Sequence, residues 1–296
     1  MHSKFILWIA LLPACLYALS TIFLKQALIR GTNPWKINFF ANLALWVPCL
    51  PLWFFIHPAS LIGHANLALW SGLAFTTGQI FTFLALQRGD ASVATPLLGV
   101  KVLVVTFIAA VFFGQSLQPR WWEAAALCSL GIFFVTGSQS AVKSRDPLIT
   151  AVFALTAAVF FGLSDVLLLH AGKAIGTLKA IVTMFSEVGL LTLLIYPMIF
   201  GRKIWILRAD QGLNWFIVGL TLLTIQSLGF AACIVLSGDS TAANVLYSSR
   251  CVWSVLLAWL MARYLGYGES DVKNSAMFLR MLGAFMLFVA ILIVLI

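Results

Sequence analysis

The sequence predicts an all-α integral membrane protein, ten transmembrane helices arranged as two inverted five-helix repeats, and three observations carry that expectation. Hydrophobic residues make up 62% of the 296-residue chain and charged residues only 9%, against about 45–50% and about 25% in an ordinary soluble domain. Ten apolar runs of bilayer-spanning length follow one another, separated by short polar or Gly/Pro breaks. One stretch of the first half recurs in the second with its landmarks in the same order.

A soluble fold of this length has too few charges to cover so much apolar side chain. In a bilayer, lipid solvates the outer side chains, and helices satisfy the backbone polar groups internally. A helix crosses the roughly 30 Å hydrocarbon core with about 20 residues. Runs of that size lie near 5–29, 36–56, 66–87, 91–113, 121–138, 148–171, 178–200, 212–236, 241–264 and 276–296. The first, preceded by Lys4, has the outline of a secretory signal with a cleavage box at Leu12-Pro13-Ala14-Cys15. Pro13 fits such a box poorly and the run is long for a signal, so it reads as the first membrane helix. The longest connections, 138–147 and 201–212, hold most of the loop charge, and the first divides the chain into 1–140 and 147–296.

Internal repetition supports that division. Residues 89–101 read GDASVATPLLGVK and residues 238–250 read GDSTAANVLYSSR. Gly89, Asp90, Ala94 and Lys101 thus match Gly238, Asp239, Ala243 and Arg250 at one offset. Near the start of each half, Ala18-Leu19-Ser20-Thr21 resembles Gly162-Leu163-Ser164-Asp165, and near the ends Leu130-Gly131 resembles Leu282-Gly283. A unit with an odd number of crossings forces the second copy to enter from the opposite face. Inverted repeats of this kind underlie alternating access in many secondary transporters, with a site near the midplane where the halves meet.

Two five-helix halves, each with a Gly-Asp turn leading into its fourth helix and a glycine in its fifth, resemble the drug/metabolite transporter superfamily in its ten-helix EamA branch. Phe112-Phe113-Gly114-Gln115-Ser116-Leu117 is similar to a Phe-Phe-Gly-Gln-x-Leu segment of the four-helix small multidrug resistance proteins, and Gly268-Glu269 supplies in the second half the Gly-Glu of many EamA proteins. The resemblance covers nearly the whole chain. It implies the fold, a transport function, and a cavity lined by helices 1–4 and 6–9 with helices 5 and 10 peripheral; its degenerate motifs leave the substrate open. One departure matters: where the small multidrug proteins carry a membrane-embedded glutamate in their first helix, this chain has Tyr17, with Phe161 as its second-half counterpart. Proton-coupled export of cationic drugs by that glutamate chemistry is therefore disfavoured.

A charge at the bilayer centre costs about 2.5–3.5 kcal/mol on insertion scales, so deep charges should face a cavity or a partner. Lys101, about ten residues into the fourth helix, and Arg250, about nine into the ninth, fall near the midplane at about 1.5 Å rise per residue. As repeat partners they could converge on one anionic group of a substrate, Arg as a bidentate fork and Lys as a movable point charge. Asp165 and Glu187 are also deep, and serve either as coupling groups or as ion-pair partners for the two cations. Polar neighbours complete the candidate substrate site: Asn42 with Asn38, Gln79, Gln226, and Asn244 with Ser248 one turn apart. The same polar groups could instead tie helices together. Trp35, Trp121 and Trp122 read as interfacial anchors, and Pro96 as a helix-start signal with a kink as the alternative.

Other classes fit poorly. The net charge of +9 is spread singly through short connections, unlike the basic faces that bind nucleic acid. The five cysteines form no C-x-x-C, so neither a metal site nor a disulfide framework is expected, and no cofactor is implied. There is no G-x-x-x-x-G-K-[ST] loop for ATP. An intramembrane enzyme needs converging nucleophile, base or metal ligands, whereas His2, His57, His64 and His170 lie mostly in loops or at helix ends. The leading expectation is a secondary transporter, permease or exporter, of a small anionic or zwitterionic metabolite in the cell membrane. A non-transporting assembly or lipid-handling protein is the alternative. Lys and Arg number ten on the face of the odd-to-even connections (Arg30, Lys36, Arg88, Lys143, Arg145, Arg202, Lys203, Arg208, Arg263, Lys273) and four on the face of the termini (Lys4, Arg120, Lys173, Lys179). Enrichment of cytoplasmic loops in these residues puts both termini outside.

Overall fold

The computed structural model describes residues 2–57, 65–88, 94, 97–115, 117–137, 147–205, 212–265 and 274–295. Among them there is no strand, and the helices are α1 (His2–Ile9), α2 (Leu11–Ile29), α3 (Pro34–Trp46), α4 (Asn66–Arg88), α5 (Lys101–Val111), α6 (Pro119–Gly137), α7 (Pro147–Ile175), α8 (Thr177–Phe200), α9 (Leu213–Ser237), α10 (Ser240–Tyr247), α11 (Arg250–Leu265) and α12 (Asn274–Leu295). Seven helical spans among the described residues are long and apolar enough to cross a membrane: Ile6–Ile29, Pro34–Phe55, Asn66–Leu86, Leu148–Ile175, Thr177–Phe200, Leu213–Ser237 and Phe278–Leu295. The outer surface leaves large apolar side chains bare, Phe54 at 91% and Met198 at 86% exposure among them, as lipid permits and water does not. The chain is an all-α, multi-pass integral membrane protein. α5, α6 and the α10–α11 pair stand where the fourth, fifth and ninth crossings were expected and are not among the seven spans.

Prolines shape the first two crossings. Pro13 has no N–H to offer the carbonyl of Ile9, and the run expected as one helix over 5–29 breaks at Ala10, whose N–H turns to Leu7 O at 2.9 Å. Pro48 and Pro51 act likewise on the second run, which leaves α3 for 3₁₀ turns at Val47–Cys49 and Pro51–Phe55. The segment holding Gly89, Asp90 and Pro96 lies outside the described residues. Its counterpart is described. Gly238 takes a left-handed φ of +75° to end α9, and Asp239 caps α10 by accepting the Ala242 N–H at 3.0 Å. The Gly-Asp pair is therefore a stop signal followed by a start signal.

The most extensive helix pairings are α4 with α7, α6 with α12, and α2 with α9. In the α6–α12 pair two glycines meet: a Cβ on Gly283 would lie 2.6 Å from the backbone oxygen of Gly131, and one on Gly131 would lie 2.9 Å from that of Gly283. Small residues let backbones approach this closely, and dispersion and weak C–H···O contacts follow from the approach. α3 packs on α8 through interhelical hydrogen bonds, Asn38 Nδ2 donating to Tyr196 Oη at 2.7 Å and Asn42 Nδ2 to Thr192 Oγ1 at 2.9 Å. Trp35, expected as an interfacial anchor, is buried among Phe83, Tyr196 and Phe200, because its position in the first turn of α3 faces the α4–α8 side of the bundle.

Candidate functional site

Lys101 and Arg250 do not sit deep within continuous helices; each opens a helical segment after a break. In the ninth-crossing region α10 ends at Tyr247, and the chain tightens through Ser248 and Ser249 by bonds three residues apart, Ser249 N to Leu246 O at 3.1 Å and Cys251 N to Ser248 O at 3.0 Å. The Ser248 hydroxyl also donates to Val245 O. Such serine back-bonding competes with the regular ladder, and α11 restarts at Arg250. In the fourth-crossing region Gly99 and Val100 form the turn, Val100 N bonds Leu97 O at 3.1 Å, and Gly99 O accepts from Ser129 Oγ at 3.2 Å. α5 restarts at Lys101.

A helix start carries the positive end of its dipole, although here the N–H groups of Cys251 and Val252 are taken by Ser248 O and Ser249 O. A cation there is disfavoured by that dipole, so placing one at each of two starts concentrates positive potential on one small region. Lys101 and Arg250 line one narrow cleft of about 10 Å³, together with Leu98, Gly99, Val102, Ile132, Asn244, Tyr247 and Ser248.

The two cations are held differently. Lys101 Nζ pairs with Asp165 Oδ2 of α7 at 2.7 Å, the side chains being 14% and 10% exposed. Asn244 Nδ2 donates to the same Asp165 oxygen at 2.8 Å and to Ser240 O at 2.9 Å. Lys101 also lies 5.7 Å from the Phe161 ring centre and 5.5 Å from that of Phe230. Arg250 has no carboxylate within ion-pair distance among the described residues. It lies instead over two aromatic rings, 4.9 Å from Tyr17 and 4.7 Å from Tyr247. Tyr247 is fixed in turn, stacked on Phe230 at 3.9 Å and donating its hydroxyl to Gln226 Oε1 at 2.8 Å. The three nearby charges, Lys101, Asp165 and Arg250, leave one net positive charge, and it resides on a guanidinium held by π faces rather than by an acid.

Of the residues singled out from sequence, the structure gathers Lys101, Arg250, Asn244, Ser248, Asp165 and Gln226 into one connected region. Asn42, Gln79 and Glu187 do not line the cleft. Asn42 binds α8, and Gln79 Oε1 and Glu187 Oε2 are buried without hydrogen-bond partners. Tyr247, Phe230 and Cys128, whose thiol donates to Ser248 Oγ at 2.8 Å, belong to the site and were missed. Tyr247 was legible one turn before Arg250; Phe230 and Cys128 come from other helices and carried no local signal. No group of His, Cys, Asp and Glu among the described residues is arranged to hold a metal.

Comparison with known proteins adds four findings. Residues 4–137 match the model of the EamA-like transporter family. The "Probable 4-amino-4-deoxy-L-arabinose-phosphoundecaprenol flippase subunit ArnE" of Pseudomonas savastanoi pv. phaseolicola (strain 1448A / Race 6) is 25% identical over 127 residues, 43% of this chain and 93% of that protein. The protein of the same name from Pseudomonas syringae pv. syringae (strain B728a) is 34% identical over 67 residues, 22% of this chain and 62% of its own. A solved crystal structure of another protein matches 98% of this chain and 96% of its own with a TM-score of 0.73 at 13% identity, a likeness of fold.

Proposed function

We propose that this chain, whose residues 4–137 match the model of the EamA-like transporter family, is a membrane transporter that carries a small organic solute bearing an anionic group, which Arg250 receives. The observation that carries this reading is Arg250 itself, a cation at a helix start in a cleft shared with Lys101, lacking a carboxylate partner among the described residues. A carboxylate or phosphate there gains a bidentate fork from Arg250 and a second cation if Lys101 is drawn from Asp165. Asn244 and Ser248 line the same cleft, with their donors committed to Asp165, Ser240 O and Val245 O.

The transport cycle in this reading is alternating access between inverted repeats, 1–140 and 147–296, in ten crossings. Support comes from the pairing of helices across the two halves: α4 with α7 is the counterpart of α2 with α9 when the first helix of each half is equated with the sixth and the third with the eighth. The same reading places the protein in the cell membrane with both termini outside. Labelling of cysteines introduced next to Lys143 and at the C-terminus of intact cells tests this: only the C-terminal cysteine should react with an impermeant reagent.

The relatives' printed names favour a second reading within the same chemistry, a phosphate-linked lipid as the anionic substrate, moved between leaflets. Proteoliposome flux separates the two. With Arg250→Ala, transport of anionic solutes should fall at least tenfold, and with Arg250→Lys, which keeps charge but not the fork, less steeply. If polyprenyl phosphate, but no soluble anion, raises the melting temperature of the wild type and not of Arg250→Ala, the lipid reading holds. Unchanged flux and unchanged stabilisation in Arg250→Ala refute both.

A further inference from the structure

The surroundings of the two cations match, except for one acid. Lys101 meets α7 through Asp165, at 2.7 Å, and through the Phe161 ring one turn earlier, at 5.7 Å. Arg250 meets α2 through Tyr17, at 4.9 Å. In the internal sequence match Arg250 corresponds to Lys101, Tyr17 to Phe161 and Thr21 to Asp165. Each cation therefore faces the equivalent aromatic residue of the other half of the chain. Four residues further on, along the same helix face, α7 has a carboxylate where α2 has a hydroxyl. The Thr21 hydroxyl turns back on its own helix, donating to Ala18 O at 2.8 Å.

We propose that Asp165 sets the charge of the substrate: the cleft takes a solute with one net negative charge and discriminates against dianions and against solutes of zero net charge. The inference rests on the reading of Arg250 as the receiver of an anion and narrows it. The charged residues of the cleft's lining are Lys101 and Arg250, and the acid that pairs with either among the described residues is Asp165. Their sum is one positive charge. The cleft is narrow, and Lys101 and Asp165 keep only 14% and 10% of their side-chain surface exposed, so water and salt screen these charges little.

A monoanion on Arg250 brings the sum to zero. The second charge of a dianion meets Lys101 already held by Asp165, with that carboxylate beside it as a like charge. Drawing Lys101 away strands the carboxylate without a counter-charge. A zwitterion leaves the sum where it was, because its cationic group adds back what its anionic group removes. Asp165 is fixed in place: Asn244 Nδ2 donates to the same oxygen at 2.8 Å and is itself anchored to Ser240 O at 2.9 Å. The empty cleft tolerates its surplus charge because the guanidinium lies on the π faces of Tyr17 and Tyr247.

The test follows the melting temperature of purified protein in nanodiscs, at constant ionic strength in mildly alkaline buffer, as probes are titrated in. Two series change charge on one skeleton: trimethyl, dimethyl and methyl phosphate, and dimethyl glutarate, monomethyl glutarate and glutarate, each neutral, singly and doubly charged in that order. The wild type is expected to bind the singly charged probe about tenfold more tightly than the doubly charged one. Asp165→Asn raises the sum to two positive charges and reverses that order. Asp165→Asn with Lys101→Met returns the sum to one and restores it. Thr21→Asp lowers the sum to zero and weakens the singly charged probe by about tenfold. A wild type that prefers the dianions, an unchanged order in Asp165→Asn, or a reversed order kept by the double variant overturns the proposal. A merely structural Asp165 shifts every melting temperature alike and leaves the order untouched. If Asp165→Asn does not fold, an undiminished response to the singly charged probe in Thr21→Asp overturns the proposal. A wild type stabilised by no probe, or Arg250→Ala stabilised as fully as the wild type, refutes the Arg250 reading itself, so the two failures are told apart.

Discussion

At the scale of single residues, the two cations of the cleft resolve into unequal partners. Lys101 is neutralised by Asp165 and by the Asn244 amide that shares the same oxygen, whereas Arg250 rests on the faces of Tyr17 and Tyr247. Removing one member of a buried pair costs about 3–5 kcal/mol, because the other is left as an uncompensated charge. We predict that Asp165→Asn lowers stability by about that amount and that Lys101→Met added to it restores most of the loss. Denaturation in detergent of the two single variants and the double variant measures the coupling. Little in the sequence distinguished Lys101 from Arg250, since they occupy equivalent repeat positions. The asymmetry arises from Asp165, whose first-half counterpart is Thr21.

At the scale of elements, helix breaks and close-packed pairs decide where side chains go. Gly99 before α5 and the Ser248-Ser249 pair before α11 convert what reads as two unbroken apolar runs into segments that restart at a cation. A hydropathy pattern sums over a whole turn and cannot register a single shifted hydrogen bond, so the position of Lys101 and Arg250 within apolar runs was legible and their place at helix starts was not. The glycine contact between α6 and α12 was visible only as a repeated Leu-Gly. Gly283→Ala sets a methyl group 2.6 Å from the Gly131 oxygen. We predict a loss of about 1–3 kcal/mol, as for overpacked cores. Phe285→Leu on the exposed face of α12 should change thermal unfolding far less.

At the scale of the whole molecule, the chief interfaces cross the middle of the chain: α4 on α7, α2 on α9 and α6 on α12. Neither 1–140 nor 147–296 buries these faces alone. We predict that each half expressed singly is degraded or aggregates, and that the two expressed together co-purify as a complex with the thermal profile of a helical membrane protein. Co-expression with a tag on one half reads this directly. Stable, monodisperse halves would show that the cross-half contacts are dispensable.

The sequence by itself determined the class, because 62% apolar residues cannot be solvated by 9% charged ones outside a bilayer, and it placed the cations, because a charge in a long apolar run is conspicuous. It also carried the internal match between 89–101 and 238–250, since punctuation by Gly and Asp follows from local backbone chemistry. Only the tertiary structure decided that Asp165 takes Lys101 and leaves Arg250 to two tyrosines. Partnership between side chains on different helices depends on rotation and depth of each helix relative to its neighbours. Those quantities are set by packing, and no local pattern in the chain encodes them.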